Sequence, residues 1–360
     1  MTLFQELILI SIGKRNSFSR PVNETDWQEL YIEACKQSLT GVLLNGVERF
    51  QEFQKASGVK YEMPYCLFQW MGEAMMLERK NQRVTERAKD LTKIFAKAGF
   101  RSTVLKGQSI ALLYPQPDRR QCGDIDFWVD GSRKDILSFV NKSAMREGTI
   151  FIHHIDADYF DDVSTEIHTF PTYCYSPFRY RKYKKFFRLF KDECFVDNSI
   201  GFSSPSIRFN AVYLLLHIFR HIYNEGIGLR QLMDYYYCLL KLTSYERIWA
   251  FSQLKTMGLD CFAASIMYVE QIVFELEDEF LLCPPNEKYG QYVLDEIMRV
   301  GNFGHYDEKR TVAHSKGGIH RYVYNVCRLL KLIGLCPSEV IWAPIWKPCH
   351  FIWRKIKGYS

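Results

Sequence analysis

Residues 105–129 read LKGQSIALLYPQPDRRQCGDIDFWV, and the fold follows from this stretch. The preceding RSTVLKG is a short β-branched run closed by Gly107, QSIALLYP suits a short helix stopped by Pro115, and DIDFWV alternates between Gly123 and Gly131 as a strand does. Asp124 and Asp126 are two apart on that strand, so both carboxylates leave one face while Ile125 and Phe127 point to the core. Two neighbouring carboxylates repel unless a cation lies between them, and Mg²⁺ or Mn²⁺ suits carboxylate oxygens and exchanging phosphates. Gly107 at a strand-to-helix turn lets backbone amides near Gln108 and Ser109 approach a phosphate, with Lys106 adding a positive charge there. Arg120, beside Gly123 and the acids, is placed either to reach a polyphosphate or to fix the loop on a carboxylate.

Downstream, SRKDILSFVNKSAMREG (132–148) reads as a helix capped by Ser132. TIFIHHI (149–155) and VSTEIHTF (163–170) follow as strands joined by the acidic turn DADYFDD. Pairing of these two strands, with the second beside DIDFWV, puts Glu166 and His168 on the carboxylate face. A Glu166 oxygen is then expected within roughly 6 Å of one from Asp124 or Asp126, the reach of a shared ion. Glu166 becomes a third metal ligand or the base for an attacking hydroxyl. Asp156, Asp158, Asp161 and Asp162 are rivals for that role, read as a solvated turn.

On both sides the texture is helical. Asp26 is expected to cap WQELYIEACKQSLTGVLLNGVERF, and a second helix spans about 66–98 with Gly99 at its end. After SSPS at 203–206, helices run through 209–223, 229–242, 246–258 and 261–276, with a break near 285 and a further helix over 319–334. The plan is α+β: a small mixed sheet with helices in residues 85–202, flanked by a helical region at 1–84 and a helical domain at 203–360.

A net charge of +6 is too mild to demand nucleic acid, and eleven scattered cysteines without a CxxC pair argue against a disulfide framework or structural zinc. No basic, signal-like start and no apolar run near 20 residues occur, so a cytoplasmic soluble protein is expected. His217 and His221 are spaced for zinc but lack a third ligand; support of the site by His221 or Arg230 with Asp234, the latter two spaced as a same-helix pair, is favoured. RYRKYKKFFR (179–188) reads as a solvated basic loop, or as a basic, aromatic acceptor site. Pro344 and Pro348 are expected to break the Trp-rich C-terminal segment into pieces that dock on the protein's own core, a membrane-surface role being the alternative.

The order VLKG, Arg-x-x-Gly-Asp-Ile-Asp-Phe-Trp-Val, Thr-Glu-Ile-His resembles the nucleotidyltransferase superfamily, which includes DNA polymerase beta. More narrowly, it resembles the bacterial uncharacterised nucleotidyltransferase family over about residues 65–280. The matching positions are Lys106 and Gly107, Tyr114 and Pro115, Arg120, Asp124 and Asp126, Glu166 and His168, then His217, His221, Arg230 and Asp234. The resemblance implies a nucleotidyltransferase-type catalytic sheet and attack by an acceptor hydroxyl on the α-phosphorus of an NTP such as ATP. Asp124, Asp126 and Glu166 would hold Mg²⁺ or Mn²⁺. The nucleotide would be steadied by Lys106, Gly107, Gln108, Ser109, Arg120, Gly123, His168, His221, Arg230 and Asp234. Lys106-Gly107 stands where most proven enzymes of the superfamily carry Gly-Ser, whose serine holds a triphosphate oxygen. The acceptor is expected to be a small hydroxyl-bearing molecule such as a sugar, with an RNA or protein acceptor, or a nucleotide-binding module without turnover, as alternatives.

Overall fold

The computed structural model describes residues 1–58, 64–146 and 148–359. Four N-terminal helices come first: α1 (Leu3–Ser11), α2 (Glu24–Gln37), α3 (Thr40–Ala56) and α4 (Tyr65–Lys97). The cap of α2 is Asn23, not Asp26. Asp26 instead closes a capping box from the third helical position and pairs with Arg20, which uses up its carboxylate. The apolar run expected as one helix divides at Ser38, whose left-handed backbone (φ 55°) ends α2 before α3 begins.

The sheet then forms in the expected order. Strand β1 (Arg101–Val104) leads through α5 (Gln108–Ala111) to β2 (Ile125–Asp130), α6 (Arg133–Ser143), β3 (His154–Asp156) and β4 (Thr165–His168). Spatially the order is β1-β2-β4-β3, with β2 and β4 parallel and both outer pairs antiparallel. Helix α6 stops at Ser143, short of the expected 148; Glu147 lies outside the described residues. The strand expected at 149–155 is shorter and later: Ile150 bridges back to Ile155, leaving His154–Asp156 as the strand. Asp156 therefore belongs to a strand, not to the acidic turn.

Odd positions of β2 (Ile125, Phe127, Val129) join Phe95, Ile136 and Ile167 in a core behind the sheet. Burying such side chains supplies roughly 1.5–3 kcal/mol each and fixes which face carries Asp126. A second core unites the N-terminal helices with the C-terminal ones, from Leu7, Trp27 and Leu43 to Phe209, Leu232 and Phe262. Helix α4 is continuous through residues 84 and 85, where the first domain boundary was expected.

Helix α7 (Pro177–Leu189) replaces the expected basic loop. Arg179, Tyr183, Phe186 and Phe187 give it a buried face that a count of charges hides. A two-stranded ribbon, β5 (Val196–Asp197) with β6 (Ser203–Ser204), precedes α8 (Ile207–Asn224), α9 (Leu229–Leu239), α10 (Ser244–Thr256) and α11 (Asp260–Phe274). Then come α12 (Glu287–Val300), α13 (Glu308–Ser315), α14 (Gly318–Lys331) and α15 (Pro337–Lys357). Pro344 and Pro348 lie inside α15 and do not break it. Buried Glu339 near its start accepts the Tyr175 and Ser176 amides at 2.7 and 3.2 Å, tying α15 to the beginning of α7. Among the described residues no helix is long and apolar enough to cross a membrane.

Candidate active site

Register puts the acids in a grid. Asp126 on β2, Glu166 on β4 and Asp156 on β3 are direct cross-strand neighbours. One step along the same face, Trp128, His168 and His154 form a second row. Because side chains alternate along strands, the two rows share one face of the sheet; the acids and His154 line a cleft of about 650 Å³, walled by α8, α9 and α15, while Trp128 and His168 are buried beside it. A Glu166 oxygen lies within 4.8 Å of an Asp126 oxygen and of a His168 nitrogen.

His168 sits between the two acids. Its Nε2 is 3.0 Å from Asp126 Oδ1 and 3.3 Å from Glu166 Oε2, and the ring is fully buried. Burial opposes a charge on this imidazole, but the two carboxylates outweigh it and raise its pKa. Lys106 does not point away toward a phosphate loop. Its ammonium lies 2.7 Å from Asp126 Oδ1, with His217 Nδ1 3.4 Å away. Burial opposes ionisation of Asp126, yet Lys106 and His168 hold its carboxyl well below the usual range. Glu166 is likewise held down, to about 2: its burial is outweighed chiefly by the His168 hydrogen bond.

Asp124 precedes β2 and lines the same cleft, open to solvent on one side. It has no ion pair among the described residues. Its surroundings of protein, then the charges of Asp126 and Glu166, push its carboxyl up to about 7. Gly107 adopts φ 56°, ψ −111°, a backbone that side chains disfavour, and a Cβ there would meet the Asp124 carbonyl at 3.7 Å. Gln108 and Ser109 are buried away from the cleft. The Gln108 amide donates to Asn81 and Thr85 of α4, so these side chains fix the turn.

The loop before Asp124 is clamped. Asn81 donates to the carbonyls of Asp118 and Arg120 at 2.6 and 2.8 Å. Gly41 of α3 lets that loop approach so closely that a Cβ would lie 2.1 Å from the Arg119 carbonyl oxygen. Arg120 makes a buried two-pronged pair with Asp234 of α9, Nε to Oδ1 and Nη2 to Oδ2 both at 2.6 Å. The Tyr114 hydroxyl donates to the same Oδ1 at 2.6 Å. Of the two roles open to Arg120, the structure shows the loop-fixing one. The expected Arg230–Asp234 pair does not form, because Asp234 is turned to Arg120 and Tyr114. Nor does His221 meet Asp234: its Nδ1 is 2.6 Å from Glu225 Oε1.

Facing the acids is a cationic wall. Arg220 of α8 donates to His153 Nε2 at 2.8 Å and lies over the Tyr173 ring. Arg230 donates to the Gln121 carbonyl at 3.1 Å. Neither guanidinium has a carboxylate within ion-pair distance among the described residues, and both Nε atoms are buried without a partner. Burial lowers the pKa of Arg230, and it pushes that of Lys347 on α15 down to about 8. Lys347, Trp346, His350 and Arg354 close the cleft, with Trp346 stacked on Tyr173 at 4.9 Å.

The profile of the uncharacterised nucleotidyltransferase family matches residues 23–275, most of the chain. The chain belongs to that family. No curated protein and no solved structure matches it. Membership supports a general role in nucleotidyl transfer, and the family's motif residues separate into two groups in this structure. Asp124, Asp126, Glu166, Lys106, His217, His221 and Arg230 line the cleft and buried His168 backs two of the acids, whereas Tyr114, Arg120 and Asp234 form a knot at its edge that joins the β2 loop to α9.

Sequence reasoning missed His154, Arg220, Lys347 and Arg354, and set Asp156 aside. For Arg220 a signal existed. His217, Arg220, His221 and Asn224 recur at i, i+3, i+4 and i+7 in the otherwise apolar stretch after Asn210, and all four line the cleft.

Proposed function

We propose that this family member is a metal-dependent nucleotidyltransferase moving an NMP group from an NTP to a small hydroxyl-bearing acceptor such as a sugar. The observation that carries this is the cross-strand pairing of Asp126 with Glu166 beside a carboxyl, Asp124, that makes no ion pair among the described residues. An oxygen-only set of this kind fits Mg²⁺ or Mn²⁺. Asp124, Asp126 and Glu166 would hold the ion, which when bound supplies a positive charge against that developing on the α-phosphate and pyrophosphate.

The chain's own residues do the remaining work. Lys106 and His168 keep Asp126 ionised, and His168 fixes the angle between Asp126 and Glu166. Glu166, held down to about 2, is a poor proton acceptor at neutral pH and better suited to ligation than to base catalysis. Arg220, Arg230, Lys347 and Arg354 line the side of the cleft where a triphosphate would be neutralised. In the reaction the acceptor oxygen bonds to the α-phosphorus as the bond to the bridging oxygen breaks. Pyrophosphate leaves, and the hydroxyl proton passes to solvent or a base.

Incubating the protein with each α-labelled NTP, Mg²⁺ and cell extract tests the reading. Label should pass to an acceptor in the wild type and not in Asp126→Asn. Nucleotide binding without pyrophosphate release under every condition would favour a binding module without turnover. RNA is the second reading for the acceptor, because Arg181, Lys184, Lys185 and Arg188 on the exposed face of α7 have no carboxylate partner among the described residues. Labelled product destroyed by RNase would select it.

A further inference from the structure

Beyond the three carboxylates that serve transfer, we propose that His154, Asp156 and Glu166 form a second metal site, sharing Glu166 with the first, that takes a borderline divalent ion such as Mn²⁺ or Zn²⁺. His154 Nε2 lies 3.2 Å from Asp156 Oδ1 and 3.9 Å from Glu166 Oε2, and the three ligand atoms fall within 4.8 Å of one another. Ligands bound at 2.0–2.2 Å and at tetrahedral or octahedral angles sit about 3.0–3.6 Å apart, so only a slight contraction closes this set.

The hydrogen bonds behind His154 point the same way. Arg220 Nη1 can only donate, and it does so to His153 Nε2 at 2.8 Å, which makes that nitrogen an acceptor. His154 Nδ1 lies 2.9 Å from the same His153 Nε2, so Nδ1 carries the proton of the His154 ring. In the neutral ring this leaves Nε2 with its lone pair aimed at two carboxylate oxygens. Three acceptors converge there; among the described residues His168 reaches the same Glu166 oxygen at 3.3 Å, but no Lys or Arg pairs with Glu166 or Asp156. A cation resolves that convergence. A histidine whose second nitrogen donates behind it is the arrangement metal ligands use. An imidazole among the ligands favours Mn²⁺ or Zn²⁺ over Mg²⁺, which separates this site from the all-carboxylate one. Glu166, on the central strand between β2 and β3, borders both.

The test uses the full chain, Mn²⁺ alone and no nucleotide, so its outcome is independent of whether transfer occurs. Pulsed electron paramagnetic resonance should detect a histidine nitrogen bound directly to Mn²⁺ in the wild type, and equally in Asp124→Asn. His154→Gln should abolish that signal. Asp156→Asn, a milder change at a half-exposed side chain, should weaken the nitrogen-bound ion at least about tenfold while the fold persists by circular dichroism. Zn²⁺ should displace this ion at concentrations where Mg²⁺ does not. Absence of nitrogen coupling in the wild type, its survival in His154→Gln with loss in His168→Gln, or equal displacement by Mg²⁺ would each overturn the proposal.

Discussion

On the floor of the cleft, carboxylates reach one row from three adjacent strands, whereas the cations of the facing wall come from α8, α9 and α15, far apart in the chain. The floor is set by strand register, so each acid's position follows from its neighbours' pairing. The wall is set by helix packing, and its cations are held by carbonyls, rings and other imidazoles instead of carboxylates. A negative floor opposite the Arg220 and Arg230 guanidiniums, which make no ion pair among the described residues, leaves charge on both sides for a ligand to satisfy. On the proposed reading chemistry belongs to the first region and binding to the second, and substitutions can test that division.

The largest effect is expected on the floor. Asp126→Asn and Glu166→Gln should each lower transfer by about 10³-fold or more, the scale of removing a group that stabilises transition-state charge. Nucleotide binding, followed by calorimetry, should persist in both.

Next is the tie between the regions. Asp234→Ala leaves the buried Arg120 guanidinium without its partner and should cost about 3–5 kcal/mol in denaturant unfolding. Arg120→Lys cannot reproduce the two-pronged contact and should lose part of that amount. A stability loss confined to a few tenths would mean that floor and wall are held together elsewhere.

On the wall, Arg220→Gln and Arg230→Gln should each raise KM for NTP roughly 10- to 100-fold, the worth of one charge-assisted hydrogen bond, with kcat less affected. Equal losses in kcat would place these cations with the chemistry and break the division.

The smallest effect is one of pH. With its carboxyl raised to about 7, Asp124 must release a proton before it can bind an ion. Mg²⁺ affinity should therefore rise with pH, by up to about tenfold per unit, and level off above about 7. Asp124→Asn should flatten that slope in a titration.

The floor was legible because its signals are local. A period of two carries Asp124 and Asp126 to one face, and Glu-x-His carries Glu166 and His168 to another strand of the same face. Asp156 was misplaced because a three-residue strand is too short for alternation to show against an acidic run. Helix α7 was hidden by its cations, since only four of its residues are buried, and α15 by prolines that its packing tolerates. Lys106 shows the limit of motif reading: the sequence put it at the right turn, but only the fold could aim it at Asp126 instead of a phosphate. The pairing of Arg120 with Asp234 spans more than a hundred positions and left no periodic trace.

The family match ends at residue 275, yet Trp346, Lys347, His350 and Arg354 of α15 form one side of the cleft. The roof is thus supplied by a part of the chain beyond the family match, fastened through buried Glu339, Val340 and Ala343 near its start and through Trp346 stacked on Tyr173. Four side chains on a single helical face decide how wide the entrance is and what charge greets an incoming molecule. On the proposed reading, exchanging those side chains would change what the cleft admits while the carboxylates on the sheet stay in place, so selectivity could drift with the chemistry fixed.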